Sequence, residues 1–117
     1  MTKSGKINYI ELPAADLEAA KAFYGNALGW KFEDYGPEYA AFNDGDFDGG
    51  FYKADMSSSA ASGAALVVLY AEDLEGLQAK LEKNGAKICR KIFSFPGGRR
   101  FHFLDPNNNE LAVWSDK

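Results

Sequence analysis

Cysteine and histidine are nearly absent from this chain of 117 residues, and each shortage limits the kinds of site it can hold. Cys89 is the only cysteine, so no disulfide can form within the chain. We expect Cys89 to be an ordinary strand residue; the alternative is a reactive thiol, although no histidine or aspartate motif accompanies it. His102 is the only histidine. No apolar run approaches about 18 residues, so the sequence predicts no membrane helix.

Basic residues are also fewer than acidic residues. The chain has 13 basic and 17 acidic residues, a net charge of −4, which disfavours nucleic acid as a partner. The first ten residues, MTKSGKINYI, lack the apolar stretch of a signal peptide, so we expect a cytoplasmic protein without a membrane partner. Aromatic residues are abundant at 15%, which indicates a dense core or an aromatic-walled pocket.

A repeat divides the chain into two similar halves. Asp16-Leu17-Glu18 returns as Asp73-Leu74-Glu75, each time after an apolar strand and before residues with helical spacing. The two aspartates are good N-cap residues, and Gly29 and Gly85 come where the helices should end. Each half therefore begins with a strand followed by a helix.

Three further strands are predicted after each helix. They are residues 30–34, 39–43 and 49–54 in the first half, and 87–94, 99–104 and 110–114 in the second. The sequence thus predicts one α+β domain made of two βαβββ modules, residues 5–55 and 64–116. Residues 56–63 between them are small and polar, which is typical of a flexible linker or loop.

Two motifs carry a resemblance to a known family. The stretches ELPAADLEAAKAFYGNALGW and FLDPNNNELAVW resemble the vicinal oxygen chelate superfamily, which includes glyoxalase I, bleomycin-resistance proteins, fosfomycin-resistance enzymes and extradiol dioxygenases. The resemblance covers nearly the whole chain. It implies that the strands form a cup-shaped mixed sheet around a central cavity, and that the protein is a homodimer.

The same resemblance implies where a metal would bind. Metal-dependent members place ligands seven residues before each helix-start aspartate and seven after the aspartate of the Asp-Pro turn. Those positions hold Tyr9, Leu66 and Ala112, and the fourth falls within residues 49–52, which offer no strong ligand. Divalent metal sites need several histidine or carboxylate ligands converging on one point. We therefore expect no metal and no cofactor.

The implied cavity wall holds other polar residues. If Tyr9 faces the cavity, Glu11 two residues later faces it as well. If Ala112 faces the cavity, strand alternation places Glu110 and Trp114 on the same side. Pocket positions of fosfomycin-resistance relatives correspond to Arg100 and His102. The expected ligand-binding residues are Tyr9, Trp30, Phe51, Arg100, His102 and Trp114, and the catalytic candidates are His102, Glu11 and Glu110.

Each of these residues also has a purely structural interpretation. His102 could be a hydrogen-bonded core residue, Arg100 could form an ion pair with Glu11 or Glu110, and the aromatics could be core. Residues 44–55 resemble a calcium-binding loop, but the flanking segments are predicted strands, so we interpret them as a hairpin turn.

Three functional classes remain open. The first is a metal-free protein that binds a small aromatic molecule, with an anionic group facing Arg100. The second is a lyase or isomerase of glyoxalase type, either metal-independent or with relocated metal ligands. The third is an interaction subunit whose cavity is filled by side chains. The sequence does not name the ligand.

We predict that the purified protein carries no stoichiometric zinc, nickel, manganese or iron, because Tyr9, Leu66 and Ala112 occupy the implied ligand positions. A chelator should leave the melting temperature unchanged, since no metal-binding free energy is coupled to folding. Elemental analysis that finds about one tightly bound ion per chain would contradict this prediction.

Overall fold

The computed structural model describes residues 3–117, which contain two successive βαβββ repeats. The first comprises β1 (Tyr9–Ala14), α1 (Leu17–Leu28), β2 (Lys31–Asp34), β3 (Tyr39–Asn43) and β4 (Asp48–Lys53). The second comprises β5 (Val67–Tyr70), α2 (Leu74–Lys83), β6 (Lys87–Phe95), β7 (Gly98–Leu104) and β8 (Glu110–Ser115). Every predicted helix and strand is present, with small shifts at the ends.

The strands form two separate four-stranded mixed sheets. The strand order is β1-β4-β3-β2 in the first sheet and β5-β8-β7-β6 in the second. The pairs β1–β4 and β5–β8 run parallel, and the other neighbours run antiparallel. The α+β class and the paired βαβββ modules are confirmed, and within one chain the cup is divided into two sheets.

Both helices begin at the aspartates predicted from the repeat. The Asp16 carboxylate accepts a hydrogen bond from the Ala19 backbone N–H at 3.0 Å, and Asp73 accepts one from Gly76 at 3.0 Å. These bonds satisfy donors that the first helical turn leaves free. Helix α1 ends at Gly29, whose φ of 73° is left-handed and favours glycine. In residues 3–117 no helix is long and apolar enough to cross a membrane.

The inner faces of both sheets pack on one hydrophobic core, which includes α1. Phe23 of α1 contacts Phe103 of β7, with ring centroids 6.2 Å apart. The next residue, Tyr24, packs on Phe51 of β4, with ring centroids 5.3 Å apart. Adjacent residues of one helix thus contact both sheets. The outer face of each sheet therefore points away from the shared core.

The turn after β7 joins the two halves through the buried carboxylate of Asp105. This carboxylate accepts hydrogen bonds from the Tyr24 hydroxyl at 2.6 Å and from the backbone N–H groups of Asn107 and Asn109 at 2.8 and 3.0 Å. Burial raises the pKa of Asp105, and the donors oppose that shift by stabilising the charged form. The Asn109 side chain donates to the Pro13 carbonyl at 2.7 Å. We call this cluster the Asp105 junction.

The segment predicted as a linker, residues 56–63, is a loop hydrogen-bonded to the start of β8. The Ser58 N–H donates to the Asn109 side chain at 2.8 Å, and the Ser58 carbonyl accepts from the Glu110 N–H at 2.8 Å. A short 3-10 turn at Ala60–Ser62 follows. The loop therefore lies beside Glu110, one of the predicted site residues.

We predict that Tyr24→Phe lowers the free energy of unfolding by about 1.5–3 kcal/mol, because it removes a donor from a buried carboxylate. The matched control is Tyr70→Phe: the Tyr70 hydroxyl also donates to an aspartate at 2.6 Å, but at the exposed side chain of Asp116. Its loss should lower the free energy of unfolding by less than about 0.5 kcal/mol. Chemical denaturation measures both values, and equal effects would show that the Tyr24–Asp105 bond adds no special stability.

Candidate functional site

Strand alternation divides the predicted cavity residues between two faces. Tyr9 and Glu11 lie on the outer face of the first sheet, since Ile10 and Leu12 pack in the core. The outer face of the second sheet carries the other four, which are Arg100, His102, Glu110 and Trp114. Because these faces point away from the shared core, one chain does not bring the six residues together. This differs from the single cavity wall that the sequence predicted.

The second sheet positions His102 between a carboxylate and a guanidinium. His102 is only 5% exposed. Its Nδ1 lies 2.8 Å from Glu110 Oε2, and its Nε2 lies 3.1 Å from Arg100 Nη2. A guanidinium can only donate, so Nε2 accepts and the proton sits on Nδ1, from which it is donated to Glu110. This arrangement selects the Nδ1–H tautomer of the imidazole.

Arg100 has no carboxylate partner in the part of the chain that the structure describes. In these residues the Arg100 side chain makes one hydrogen bond, to His102, and its Nε is buried without a partner. The guanidinium carbon lies 5.9 and 5.8 Å from the ring centroids of Phe93 and Phe95. The ion pair with Glu11 or Glu110, offered as the structural interpretation of Arg100, is not formed.

Glu110 accepts hydrogen bonds from both His102 and the loop between the two modules. Its second carboxylate oxygen accepts from the Ala60 N–H at 3.0 Å. The hydrogen bond from His102 is the main cause that lowers the pKa of Glu110, and the bond from Ala60 adds to it. Each oxygen of Glu110 therefore accepts a hydrogen bond, and neither bond comes from Arg100.

Aromatic rings and a second cation complete this face. Trp114 contacts Tyr70 and Phe95, with ring centroids 5.2 and 6.2 Å apart. The Arg90 guanidinium lies 4.0 Å from the centroid of Phe93. The sequence reasoning missed Arg90, Phe93 and Phe95. Strand β6 contains register irregularities, so simple alternation along it does not show which side chains share the face of Arg100.

The outer face of the first sheet carries a different polar network. The Tyr39 hydroxyl donates to Glu11 Oε2 at 2.9 Å and lies 2.8 Å from the Tyr9 hydroxyl. Tyr39 lies across Gly50, where a Cβ atom would come within 2.1 Å of the Tyr39 hydroxyl oxygen. The glycine on β4 therefore makes room for this network. The sequence reasoning did not predict that Tyr39 links Tyr9 to Glu11.

The structure places Trp30 and Phe51, two of the expected ligand-binding residues, in the core. Phe51 is fully buried, because alternation along β4 turns it to the inner face. The Trp30 ring stacks between Tyr24 and Phe42, at centroid distances of 4.6 and 4.5 Å. Both side chains are core residues, and the aromatics on the outer face of the first sheet are tyrosines instead.

A comparison with protein families decides the identity of this fold. The family model described as Glyoxalase/Bleomycin resistance protein/Dioxygenase superfamily matches residues 6–113. The chain belongs to this superfamily. No curated protein matches it.

Several solved structures of the superfamily are similar to the chain. A glyoxalase-related enzyme from Fulvimarina pelagi is 19% identical with a TM-score of 0.78, covering 95% of this chain and 88% of its own. A fosfomycin resistance protein from Listeria monocytogenes, in complex with Mn(II) and a dihydroxypropylphosphonic acid, is 14% identical with a TM-score of 0.79, covering 96% and 90%. A lactoylglutathione lyase from Agrobacterium tumefaciens is 22% identical with a TM-score of 0.72, covering 97% and 95%. At these identities the likeness shows the fold alone.

The residues of this chain do not fit a divalent metal site of the superfamily. Ala112, at an implied ligand position, is fully buried and lies opposite His102 in the β7–β8 register. Among residues 3–117 no group of three or more histidine, cysteine, aspartate or glutamate side chains could hold a metal ion. His102 Nε2 faces the cation of Arg100, which would repel a metal ion at that nitrogen.

We predict that Glu110→Gln is less stable than the wild type by about 1 kcal/mol at pH 7, because it removes the charged acceptor from His102. The folded-state pKa of Glu110 is lower than the ordinary value of 4.5, so ionised Glu110 stabilises the fold above that pH. This contribution is lost as the pH falls through the folded-state pKa. The difference between the two proteins should therefore shrink below about pH 4.5.

Urea denaturation from pH 3 to 8 tests this dependence, with Glu72→Gln as the control. Glu72 is exposed, and its side chain makes no hydrogen bond in the described part of the chain. A Glu110→Gln deficit that stays constant over this pH range would show that the charge of Glu110 does not stabilise the fold.

Proposed function

We propose that this superfamily member binds a small aromatic molecule with an anionic group, that it does so without the superfamily metal, and that Arg100 receives the anion. The observation that carries the proposal is the state of Arg100. Its guanidinium has no carboxylate partner in the described residues, and only one of its three nitrogens makes a hydrogen bond. An arginine in this state can give a ligand carboxylate a charge-assisted, bidentate contact.

The surroundings of Arg100 favour a planar ligand. Phe93, Phe95 and Trp114 supply ring faces and edges beside the guanidinium. A good aromatic pair contributes about 0.5–1.5 kcal/mol beyond the burial of apolar area. Glu110 makes no ion pair with Arg100 in the described residues, because its oxygens accept from His102 and Ala60. The ligand therefore combines an aromatic ring with a carboxylate or a similar anion.

The alternative is a lyase or isomerase that uses His102, Glu110 or Glu11 as a base. His102 Nε2 would have to exchange its bond with Arg100 for a bond with a substrate proton. Both oxygens of Glu110 are engaged, and Glu11 accepts from Tyr39. A base would have to give up or share these hydrogen bonds, which favours binding over proton abstraction, and a relocated metal site would be repelled by the charge of Arg100.

A second copy of the chain is proposed to close the open faces into a cavity, in a cytoplasmic homodimer. Tyr9 on the first face is 41% exposed, and Val68 and Tyr70 on the second are 42% and 45% exposed. Such apolar exposure is typical of contact surfaces. Two arginines outnumber Glu110 on the second face, and the acidic residues outnumber Lys31 on the first, so the net charges of the faces are complementary. The first face of one chain would then meet the second face of the other.

We predict that aromatic acids bind the wild type more tightly than the matched amides, and that Arg100→Ala lowers the affinity for the acids on the order of tenfold, because it removes the charged donor. Arg99→Ala is the matched control: Arg99 is the adjacent residue, and it pairs with Glu75 at a distance from the proposed site. It should leave the affinity for the acids unchanged. Isothermal titration calorimetry measures each affinity.

Two outcomes contradict the proposal. If acids bind no better than amides, or if Arg100→Ala retains the acid affinity, Arg100 does not receive an anion. Sedimentation of the same samples tests the assembly. A species of about 13 kDa alone, which is the mass expected for one chain of this length, would contradict the enclosed dimeric cavity.

A further inference from the structure

The outer face of the first sheet has its own cleft, which in the proposed dimer would lie opposite the Arg100 face of the second copy. Its volume is about 510 Å³, and its lining includes Tyr9, Tyr35, Glu33, Asp48 and Lys31. A cleft of this size falls within the range of small-molecule sites. Its walls therefore offer tyrosine rings, two carboxylates and one ammonium group.

The hydrogen bonds around Tyr39 set a direction for the Tyr9 hydroxyl. The Tyr39 hydroxyl has one proton, and it donates that proton to the Glu11 carboxylate, which can only accept. The contact between the Tyr9 and Tyr39 hydroxyls, at 2.8 Å, must then use the proton of Tyr9. The oxygen of Tyr9 is left with free lone pairs and no proton. Towards the cleft it is a hydrogen-bond acceptor only.

Two features keep this direction fixed. Burial, together with the bonds to Tyr9 and Glu11, raises the pKa of Tyr39, so Tyr39 keeps its proton at neutral pH. Gly50 leaves room for the Tyr39 ring, because a Cβ atom there would overlap its hydroxyl. The Tyr39 hydroxyl is thus held in contact with both partners.

We propose that this cleft binds the primary ammonium group of an organic amine, with the Tyr9 oxygen as the hydrogen-bond acceptor. A primary ammonium supplies the proton that Tyr9 cannot, and the tyrosine rings favour a cation over their faces. Glu33 and Asp48 outnumber Lys31, so the charge of the lining also favours a cation. This inference rests on the proposed function, because the cleft would form part of the same cavity, and its test at Tyr9 is separate from the test at Arg100.

Three probes of similar shape separate hydrogen bonding from charge. Phenethylamine carries a donating ammonium at neutral pH, its N,N,N-trimethyl derivative carries the same charge without a donor, and 3-phenylpropionate carries a negative charge. NMR titration with the tyrosine resonances as reporters measures each affinity. We expect phenethylamine to bind more tightly than the trimethyl derivative by about three- to tenfold.

Two variants test the role of Tyr9. Tyr9→Phe should lower the affinity for phenethylamine on the order of tenfold and make it equal to that of the trimethyl derivative. Glu11→Gln removes the constraint on direction, because a carboxamide can either accept from Tyr39 or donate to it, so that the proton of Tyr9 can also turn to the cleft. In that variant the preference for phenethylamine over the trimethyl derivative should fall, a change that the loss of negative charge alone would not produce, because both probes carry the same charge.

Tyr52→Phe is the matched control. Tyr52 lies on the same face, directly opposite Tyr39 in the β3–β4 register, but its hydroxyl makes no hydrogen bond in residues 3–117. This variant should bind phenethylamine like the wild type. The proposal is overturned if phenethylamine shows no saturable binding, if the trimethyl derivative binds as tightly, or if Tyr9→Phe binds the amine unchanged. Thermal unfolding confirms that each variant is folded.

Discussion

The buried carboxylate of Asp105 constrains the whole molecule. It is only 3% exposed, and the Tyr24 hydroxyl and two backbone N–H groups of its own turn satisfy it. Tyr24 belongs to the first half of the chain and Asp105 to the second. A buried charge needs such donors, so this one requirement fixes α1 against the β7–β8 turn. The two sheets must then share one core.

The shared core determines where function can reside. Because both inner faces are covered, only the outer faces can present polar groups to a small molecule. The second sheet uses its outer face to hold His102 between Glu110 and Arg100, and within residues 3–117 no carboxylate pairs with Arg100. On the outer face of the first sheet, Tyr39 and Glu11 orient the Tyr9 hydroxyl. The first face is acidic and the second face is basic. They would therefore suit a ligand, or a second copy of the chain, that presents groups of opposite charge.

Local signals in the sequence predicted most of the fold and part of the site. Asp16 and Asp73 mark helix starts because a cap needs only the next turn, and the Asp-Pro turn and the strand alternation are equally local. Alternation also placed Glu11 with Tyr9, and Glu110 with Trp114. Alternation did not predict the faces of Arg90 and Phe93, because the register of β6 is irregular. It also could not show that Trp30 stacks between Tyr24 and Phe42.

The sequence by itself determined the two βαβββ modules and their capped helices, because these depend on residue types and short spacings. Only the tertiary structure decided which partners the polar residues find. Glu110 binds His102 and the loop at Ala60 rather than Arg100, and Tyr39 links Tyr9 to Glu11. These contacts join residues from different strands and a distant loop, so their geometry follows from sheet register and from packing on the common core, which no local spacing encodes.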